Sequence, residues 1–297
     1  MGPVCKHVVA AIYVLQQDQK ENPVQVKSVT EQVEKLLENA THDELKQFIR
    51  ELAIGTPSFR NLFLSSFAHC NSDESKGLYT RQIKALLQNA SDNSGFINWS
   101  ASREVGNAVN DLLESAQKQL HKQNYNSVLL MSTAIMEEMT PALQYADDSG
   151  GDIGMCIDLA FEILYQTAIE QQDGEIRQRI LDYCFTAFEK KIYEGWDWHI
   201  GMLRIAAEAV TTAEEASRLL TLLDTVQGSS YEADRIHTIY YEVLLKIKGE
   251  EEANAYLEQN ISNPNMRRYA IANAMESRNY EKAIDIAKDG IKCDMKD

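Results

Sequence analysis

Residues 104–144 read EVGNAVNDLLESAQKQLHKQNYNSVLLMSTAIMEEMTPALQ, and this stretch decides the fold class. In its first half, apolar residues recur three or four positions apart, which is the spacing of one helix face. The polar residues 121–124 interrupt the pattern, which then continues to Thr140 and Pro141, where the helix ends or restarts. We predict two amphipathic helices that pack antiparallel because few residues join them. Their apolar faces comprise Val105, Ala108, Val109, Leu112, Leu113, Ala116 and Leu120, then Tyr125, Val128, Leu129, Ser132, Ile135, Met136 and Met139.

The rest of the chain repeats this helix pair. One pair covers only one side of itself, so such a unit is stable when others stack on it. The turn QNYNSVL at 123–129 aligns with RNYEKAI at 278–284, and both resemble turns of tetratricopeptide-type repeats, although the complete repeat pattern never occurs in one unit. We therefore predict an all-α chain that forms a tetratricopeptide-like α-α superhelix of divergent helical hairpins. Further helices are predicted at 153–170, 176–192, 198–210, 213–226, 231–247, 250–258, 265–277 and 280–288.

Three regions are predicted along the chain: 1–20, an N-terminal helical subregion at 21–92, and the helical repeats at 93–297. The segment SDNSG at 91–95 is the strongest boundary signal, because such residues favour turns over helices. The apolar residues that follow it, FINW at 96–99, are expected to wedge between the two helical subregions. Earlier helix starts are marked by SVTE at 28–31 and THDE at 41–44, which match the capping box.

Composition and charge restrict the functional class. The chain is 44% hydrophobic and 25% charged, which is typical of a globular protein. Its net charge of −16 disfavours general binding to nucleic acid or to anionic membranes. No apolar run approaches the ~20 residues that span a bilayer, and the start lacks a signal peptide pattern. The five cysteines are scattered, as in reduced compartments. We expect a cytoplasmic protein without membrane contact.

The segment CKH at 5–7 leads directly into the apolar helix pattern VVAAIY at 8–13. Cys5 and His7, together with this helix, resemble the final part of a SWIM zinc finger, whose pattern is CxC, a variable spacer and CxH. The chain starts at Met1 without the CxC half. A structural zinc site needs four ligands, so Cys5 and His7 are expected to form a half site that holds zinc only if the missing CxC is supplied. Zinc is thus expected in the intact family member and not in this chain alone.

Most of the chain is similar to the C-terminal helical region of a bacterial SWIM zinc finger protein, beginning inside the finger at its CxH half. The segments GFI at 95–97 and DDSGGD at 147–152 add weak support. The resemblance implies a non-catalytic helical-repeat scaffold that mediates protein–protein interaction. It also implies that an upstream finger contacts DNA or another protein. Two alternatives stay open: a nucleic-acid-binding module that acts through the finger, and an enzyme with a site at the subregion junction near Trp99.

Other motifs for chemistry are weak. The acidic loop at 147–152 lacks the calcium-ligand pattern of an EF-hand, because Gly151 takes the fifth position and Asp152 the sixth. We expect a linker in which Asp152 is the N-cap of a helix that begins at Ile153. The six histidines form no metal pair at helical spacing, and no phosphate loop or nucleophile elbow occurs. The sequence indicates no small-molecule substrate and no catalytic residue.

Three tryptophans are the candidates for partner binding. Trp196 and Trp198 form the densest aromatic cluster, and Trp99 follows the boundary at 91–95. In a helical stack such residues usually fill the space between hairpins, but exposed tryptophans are instead hot spots for recognition. The sequence alone does not distinguish between these two roles.

Overall fold

The computed structural model describes residues 29–57, 59–60, 63, 75–226 and 230–294. They fall into two compact units that divide after Arg60. In this described part of the chain the secondary structure is helical apart from turns and one isolated backbone bridge, so the predicted all-α class is confirmed there. The division into 1–20, 21–92 and 93–297 stays a prediction, and the turn at 91–95 lies within the second unit.

In the first unit, helix α1 spans Val29–Asn39 and helix α2 spans His42–Gly55. Thr41 caps α2: its Oγ1 accepts a hydrogen bond from the Glu44 backbone N–H at 3.3 Å, and Glu44 Oε2 accepts one from the Thr41 N–H at 2.9 Å. This reciprocal pair satisfies two backbone donors that a helix start leaves open. The capping box predicted at 41–44 is confirmed, whereas the one at 28–31 begins outside the described residues.

The second unit contains the predicted repeat region. From residue 150 onward, each observed helix begins within two residues of its predicted start. The helices are α3 Ser75–Ala90, α4 Trp99–His121, α5 Tyr125–Ala142, α6 Asp152–Glu170, α7 Gly174–Glu189, α8 Trp198–Ala209, α9 Ala213–Asp224, α10 Ser230–Ile247, α11 Glu250–Gln259, α12 Pro264–Glu276 and α13 Tyr280–Asp294.

The predicted opening pair is α4 and α5, which pack on each other and are joined by residues 122–124. The apolar face of α4 is buried largely as predicted, but α5 is buried on more than one face. Met131, Thr133 and Ala134, which lie off the predicted stripe, are also buried. The reason is that α3, α4 and α6 all pack against α5. A one-sided stripe therefore underestimates the burial of a helix that lies between others.

The helices of the second unit contact their second neighbours as well as their first neighbours. One series runs through α4, α6, α8, α10 and α12, each in contact with the next. A second series runs through α3, α5 and α7. Because these contacts connect helices that are close in sequence, the core grows by local addition, as expected for stacked hairpins.

Glycines permit two of the close helix contacts. A Cβ on Gly106 of α4 would lie 3.0 Å from the Cβ of Asp152 in α6. A Cβ on Gly201 of α8 would lie 2.6 Å from the ring of Phe161 in α6. Both distances are shorter than the ~3.5 to 4.0 Å at which carbon atoms attract each other. The spacing of α4, α6 and α8 therefore depends on these two glycines.

One turn geometry recurs at the two turns that align in the sequence. Gln123 and Arg278 both adopt left-handed backbone angles, with φ of 58° and 55°. In each turn the next N–H reaches back five residues, from Asn124 to Gln119 O at 2.9 Å and from Asn279 to Ala274 O at 2.8 Å. These are the bonds of a Schellman motif, which ends a helix and reverses the chain. A further such turn has Lys191 at the left-handed position, with φ of 54°, and the Ile192 N–H donates to Ala187 O at 3.0 Å.

The acidic loop holds the start of α6. Asp148, rather than the predicted Asp152, caps this helix: its carboxylate accepts hydrogen bonds from the N–H groups of Ile153 at 2.8 Å and Gly154 at 2.9 Å. The N-cap prediction is wrong because Gly151 turns the chain through a left-handed conformation and Asp152 is already helical. Beside this loop, the fully buried Ile97 pairs its backbone with residues 145 and 147. The expectation that the apolar residues at 96–99 are buried is wrong for Phe96 and Trp99, which are 43% and 48% exposed.

Candidate functional site

The loop between α7 and α8 positions the tryptophan cluster. Lys191 and Gly195 both adopt positive φ, which folds residues 190–197 tightly between the two helices. Trp198, the first residue of α8, is only 8% exposed, and its indole N–H donates to Asp158 Oδ1 of α6 at 2.9 Å. Trp198 therefore fills space between the packed helices, and its single polar atom, the indole nitrogen, has a hydrogen-bond partner.

Trp196 is more exposed than Trp198, although the two indole rings are in contact. Their ring centroids lie 5.3 Å apart with an interplanar angle of 25°, which is an offset stack. Trp196 stays 40% exposed. Its ring is thus held on a buried platform and presents one side to solvent. The two stacked tryptophans therefore differ in burial: Trp198 lies in the core and Trp196 lies at the surface.

Trp196 borders a cleft of about 640 Å³, here named the Trp196 cleft. Its walls come from the end of α7, the 190–197 loop, the starts of α8 and α10, and the end of α9. The cleft is lined by Phe188, Glu189, Lys191, Glu194, Gly195, Trp196, Asp197, His199, Ile200, Leu222, Thr225, Val226 and Glu232.

His199 forms the polar part of the cleft floor. Its ring stacks on Phe188 with centroids 4.3 Å apart and an interplanar angle of 11°. Burial lowers the pKa of His199, because a charged imidazole would lose its hydration there. Its Nδ1 atom is buried and has no hydrogen-bond partner among the described residues. The floor is therefore aromatic and, near neutral pH, uncharged.

Ion pairs form the rim. Lys191 pairs with Glu194 at 2.6 Å, Arg218 with Glu189 at 2.8 Å, and Arg235 with Asp197 at 3.1 Å. The hydrogen bond from Lys191 is the main reason that the pKa of Glu194 lies below its usual range. The rim thus carries both signs of charge around an aromatic floor.

Trp99 lies elsewhere. It opens α4, is 48% exposed, and its indole nitrogen would lie 3.1 Å from a Cβ added to Gly150 in the acidic loop. It does not line the Trp196 cleft. The structure therefore brings together two of the three predicted tryptophans, and Trp99 faces a different loop.

Cys5 and His7, the predicted zinc half site, lie outside the described residues, so that prediction stays untested. Within the described ranges, no group of three or more His, Cys, Asp or Glu side chains could hold a metal ion. Nor is any helix within those ranges long and apolar enough to cross a membrane.

Sequence reasoning missed two members of the site. Phe188 lies in the last turn of α7 and stacks on His199 from across the loop, and Asp158 binds Trp198 from 40 residues away. The spacing of Phe188 marks it only as one apolar residue of a helix face. No local pattern relates Asp158 to Trp198, because that contact exists only after α6 and α8 have packed. Comparisons with models of protein families, with curated proteins and with solved structures gave no match to this chain.

Proposed function

We propose that this chain is a non-catalytic helical-repeat scaffold that binds a protein partner at the Trp196 cleft. The observation that carries the proposal is the exposed face of Trp196 on the buried indole of Trp198. An aromatic ring that is already held in place loses little conformational freedom on binding, and tryptophan is enriched among the residues that dominate interface energies.

The rim of the cleft supports a protein partner over a nucleic acid. Three cationic side chains there are matched by three carboxylates in ion pairs, so no positive excess faces a phosphate backbone. Exposed ion pairs contribute little to stability, so their groups can exchange partners at low cost when another surface binds. An apolar centre with a polar, mixed-charge rim is the usual anatomy of a protein interface.

The finer architecture is part of the same proposal. We propose that the second unit is a tetratricopeptide-like α-α superhelix of divergent hairpins. Two observations support this: the two series of second-neighbour helix contacts, and the turn shared by Gln123 and Arg278. Stacks of this kind generate extended binding surfaces from a small rotation at each hairpin.

The relation to bacterial SWIM zinc finger proteins and the cytoplasmic location are also proposed. In an intact finger, Cys5 and His7 would supply two of the four zinc ligands, and zinc would hold the finger folded. Metal analysis of the purified chain tests the half-site prediction. One tightly held zinc ion per monomer that disappears in Cys5→Ser would contradict it. A nucleic-acid-binding function would instead require affinity for DNA that falls steeply with salt.

Paired tryptophan variants test the binding function. Tagged wild-type chain, Trp196→Ala and Trp99→Ala are used to capture partners from extracts of the native host. Trp99→Ala is the matched control, because it removes another exposed tryptophan that lies outside the cleft. We expect at least one partner that binds the wild type and Trp99→Ala and is lost from Trp196→Ala.

The captured partner is then purified and titrated against the three proteins. Loss of a tryptophan hot spot is expected to weaken its binding by about 2 kcal/mol or more, which is roughly thirtyfold in Kd. Equal affinity for wild type and Trp196→Ala, with both folded by circular dichroism, rules out the cleft as the binding site.

A further inference from the structure

Helix α13 carries an apolar stripe that no described residue covers. Tyr280, Ile284 and Ile291 are 53%, 51% and 61% exposed. With ~3.6 residues per turn, these positions fall on one side of the helix, together with Ala287. The adjoining side of α13, about a quarter turn away, holds the buried Ala283 and Gly290, and Gly290 lies against Arg267 of α12.

The repeated turn shows what covers such a face elsewhere in the chain. Aligning Gln123 with Arg278 pairs Leu129 with Ile284 and Met136 with Ile291, and both α5 residues are buried, at 4% and 0% exposure. Helix α6 packs against α5, and Tyr125, the counterpart of Tyr280, donates from its hydroxyl to Glu170 O at the end of α6 at 3.3 Å. The stripe on α13 is therefore a helix-packing face.

Charges beside the stripe identify the helix that fits it. Glu281 and Lys288 follow the stripe along one edge, and neither side chain has an ion pair or hydrogen bond within the described ranges. If a second α13 lies antiparallel on the first, with the twofold axis near Asp285, Glu281 of one copy faces Lys288 of the other. The twofold axis repeats this pair, while Tyr280 faces Ile291 and Ile284 faces Ala287 across the contact.

We propose that two copies of this chain associate through α13, packed antiparallel with stripe against stripe. The contact is self-complementary in both apolar and charged groups, as a twofold interface requires. A single helix pair buries less than the ~1,200 Å² of a standard interface, so the dimer is weak. Association is expected with a Kd of about 1 to 100 μM, as for small interfaces.

Sedimentation equilibrium of the full chain from about 1 to about 200 μM measures this association across the range of weak interfaces. We expect the wild type to shift from monomer to dimer and Ile284→Glu to remain monomeric. Met155→Glu is the matched control, because Met155 is 55% exposed on α6, away from α13. This variant should dimerise like the wild type. Circular dichroism of each variant reports whether it is folded.

Charge reversal distinguishes a second copy from any other occupant and leaves the apolar stripe intact. Glu281→Lys and Lys288→Glu should each weaken self-association at least tenfold, because like charges then face each other twice. An equimolar mixture of the two variants should form a heterodimer, since opposite charges are restored at both pairs.

A wild type that stays monomeric throughout the range overturns the proposal. A dimer that Ile284→Glu does not weaken overturns it too, as does a mixture of the charge variants that fails to associate. A stripe covered by residues 1–28 of the same chain would give the first of these results.

Discussion

Arg177 Nη1 lies 2.9 Å from Glu215 Oε1, and the same atom donates to Ala209 O at 3.0 Å. Both side chains are mostly buried, with 19% and 15% of their surfaces exposed. Arg177 of α7 thereby connects the start of α9 to the last carbonyl of α8. Lys246 of α10 donates to the two preceding carbonyls, at 3.0 and 2.7 Å. Cations from two neighbouring helices thus satisfy the end of α8, where the helix dipole favours positive charge.

Removal of Arg177 is predicted to destabilise the second unit. Arg177→Ala leaves the Glu215 carboxylate without its cation and the Ala209 carbonyl without its donor, at a cost of about 2 to 4 kcal/mol. Urea unfolding followed by circular dichroism measures this difference. Arg218→Ala is the control, because the pair of Arg218 with Glu189 is half exposed and should cost under about 1 kcal/mol. Equal losses for the two variants would contradict the structural role of Arg177.

The Glu215 carboxylate should make the stability of the folded chain depend on pH. Burial alone would raise the pKa of Glu215, but hydrogen bonds from Thr211, Arg177 and Thr212 outweigh it, and the pKa lies below its usual value. A lowered pKa in the folded state adds stability above the unfolded pKa of about 4.3, and this stability is lost as pH falls through the folded value. The wild type should therefore exceed Glu215→Gln in Tm near neutral pH and lose that advantage below about pH 4. A constant difference in Tm across this range would contradict the prediction.

The two clustered tryptophans should differ sharply in their effect on stability. Trp198→Ala empties a buried position and leaves Asp158 without its donor, which should cost about 3 to 5 kcal/mol. Trp196→Ala removes a ring that is 40% exposed and should cost about 1 kcal/mol or less. Denaturant midpoints at equal m-values measure both. Similar midpoints for the two variants would show that both rings fill the core.

Gly201 should tolerate no side chain while Phe161 is present. Gly201→Ala places a methyl group 2.6 Å from the Phe161 ring and should destabilise by about 1 to 3 kcal/mol, because α6 and α8 must move apart. Gly174→Ala is the control, since a Cβ there meets no atom within 4 Å at the start of α7. In the Phe161→Leu background, Gly201→Ala should cost measurably less. An unchanged cost in that background would place the clash elsewhere.

A left-handed turn residue offers a stabilising substitution. Gln123→Gly removes a Cβ from a residue with φ of 58° and should raise stability by about 0.5 to 1 kcal/mol. Lys122→Gly, one residue earlier at φ of −86°, should lower stability, because glycine there only adds freedom to the unfolded chain. Thermal unfolding of both variants gives the comparison, and shifts of the same sign would contradict it.

Local features of the sequence predicted the helices and the turns that join them. Apolar spacing located α4 through α13, THDE at 41–44 marked the start of α2, and the aligned turns at Gln123 and Arg278 share one backbone geometry. Each of these depends on residues within about six positions of one another, so a linear pattern contains the necessary information.

Tertiary structure alone decided which of these residues meet. Trp196 and Trp198 are equivalent in the sequence, yet only Trp198 meets Asp158 and becomes buried, because α6 and α8 pack at Gly201. Arg177 and Glu215 are 38 residues apart and meet only once α7, α8 and α9 are in place. The spacing of side chains along the sequence shows which of them share a helix face, but not which residues of other helices they contact. The sequence therefore determined a helical chain of hairpins, and packing determined its cleft, its buried ion pair and the face of α13 that the other described residues leave uncovered.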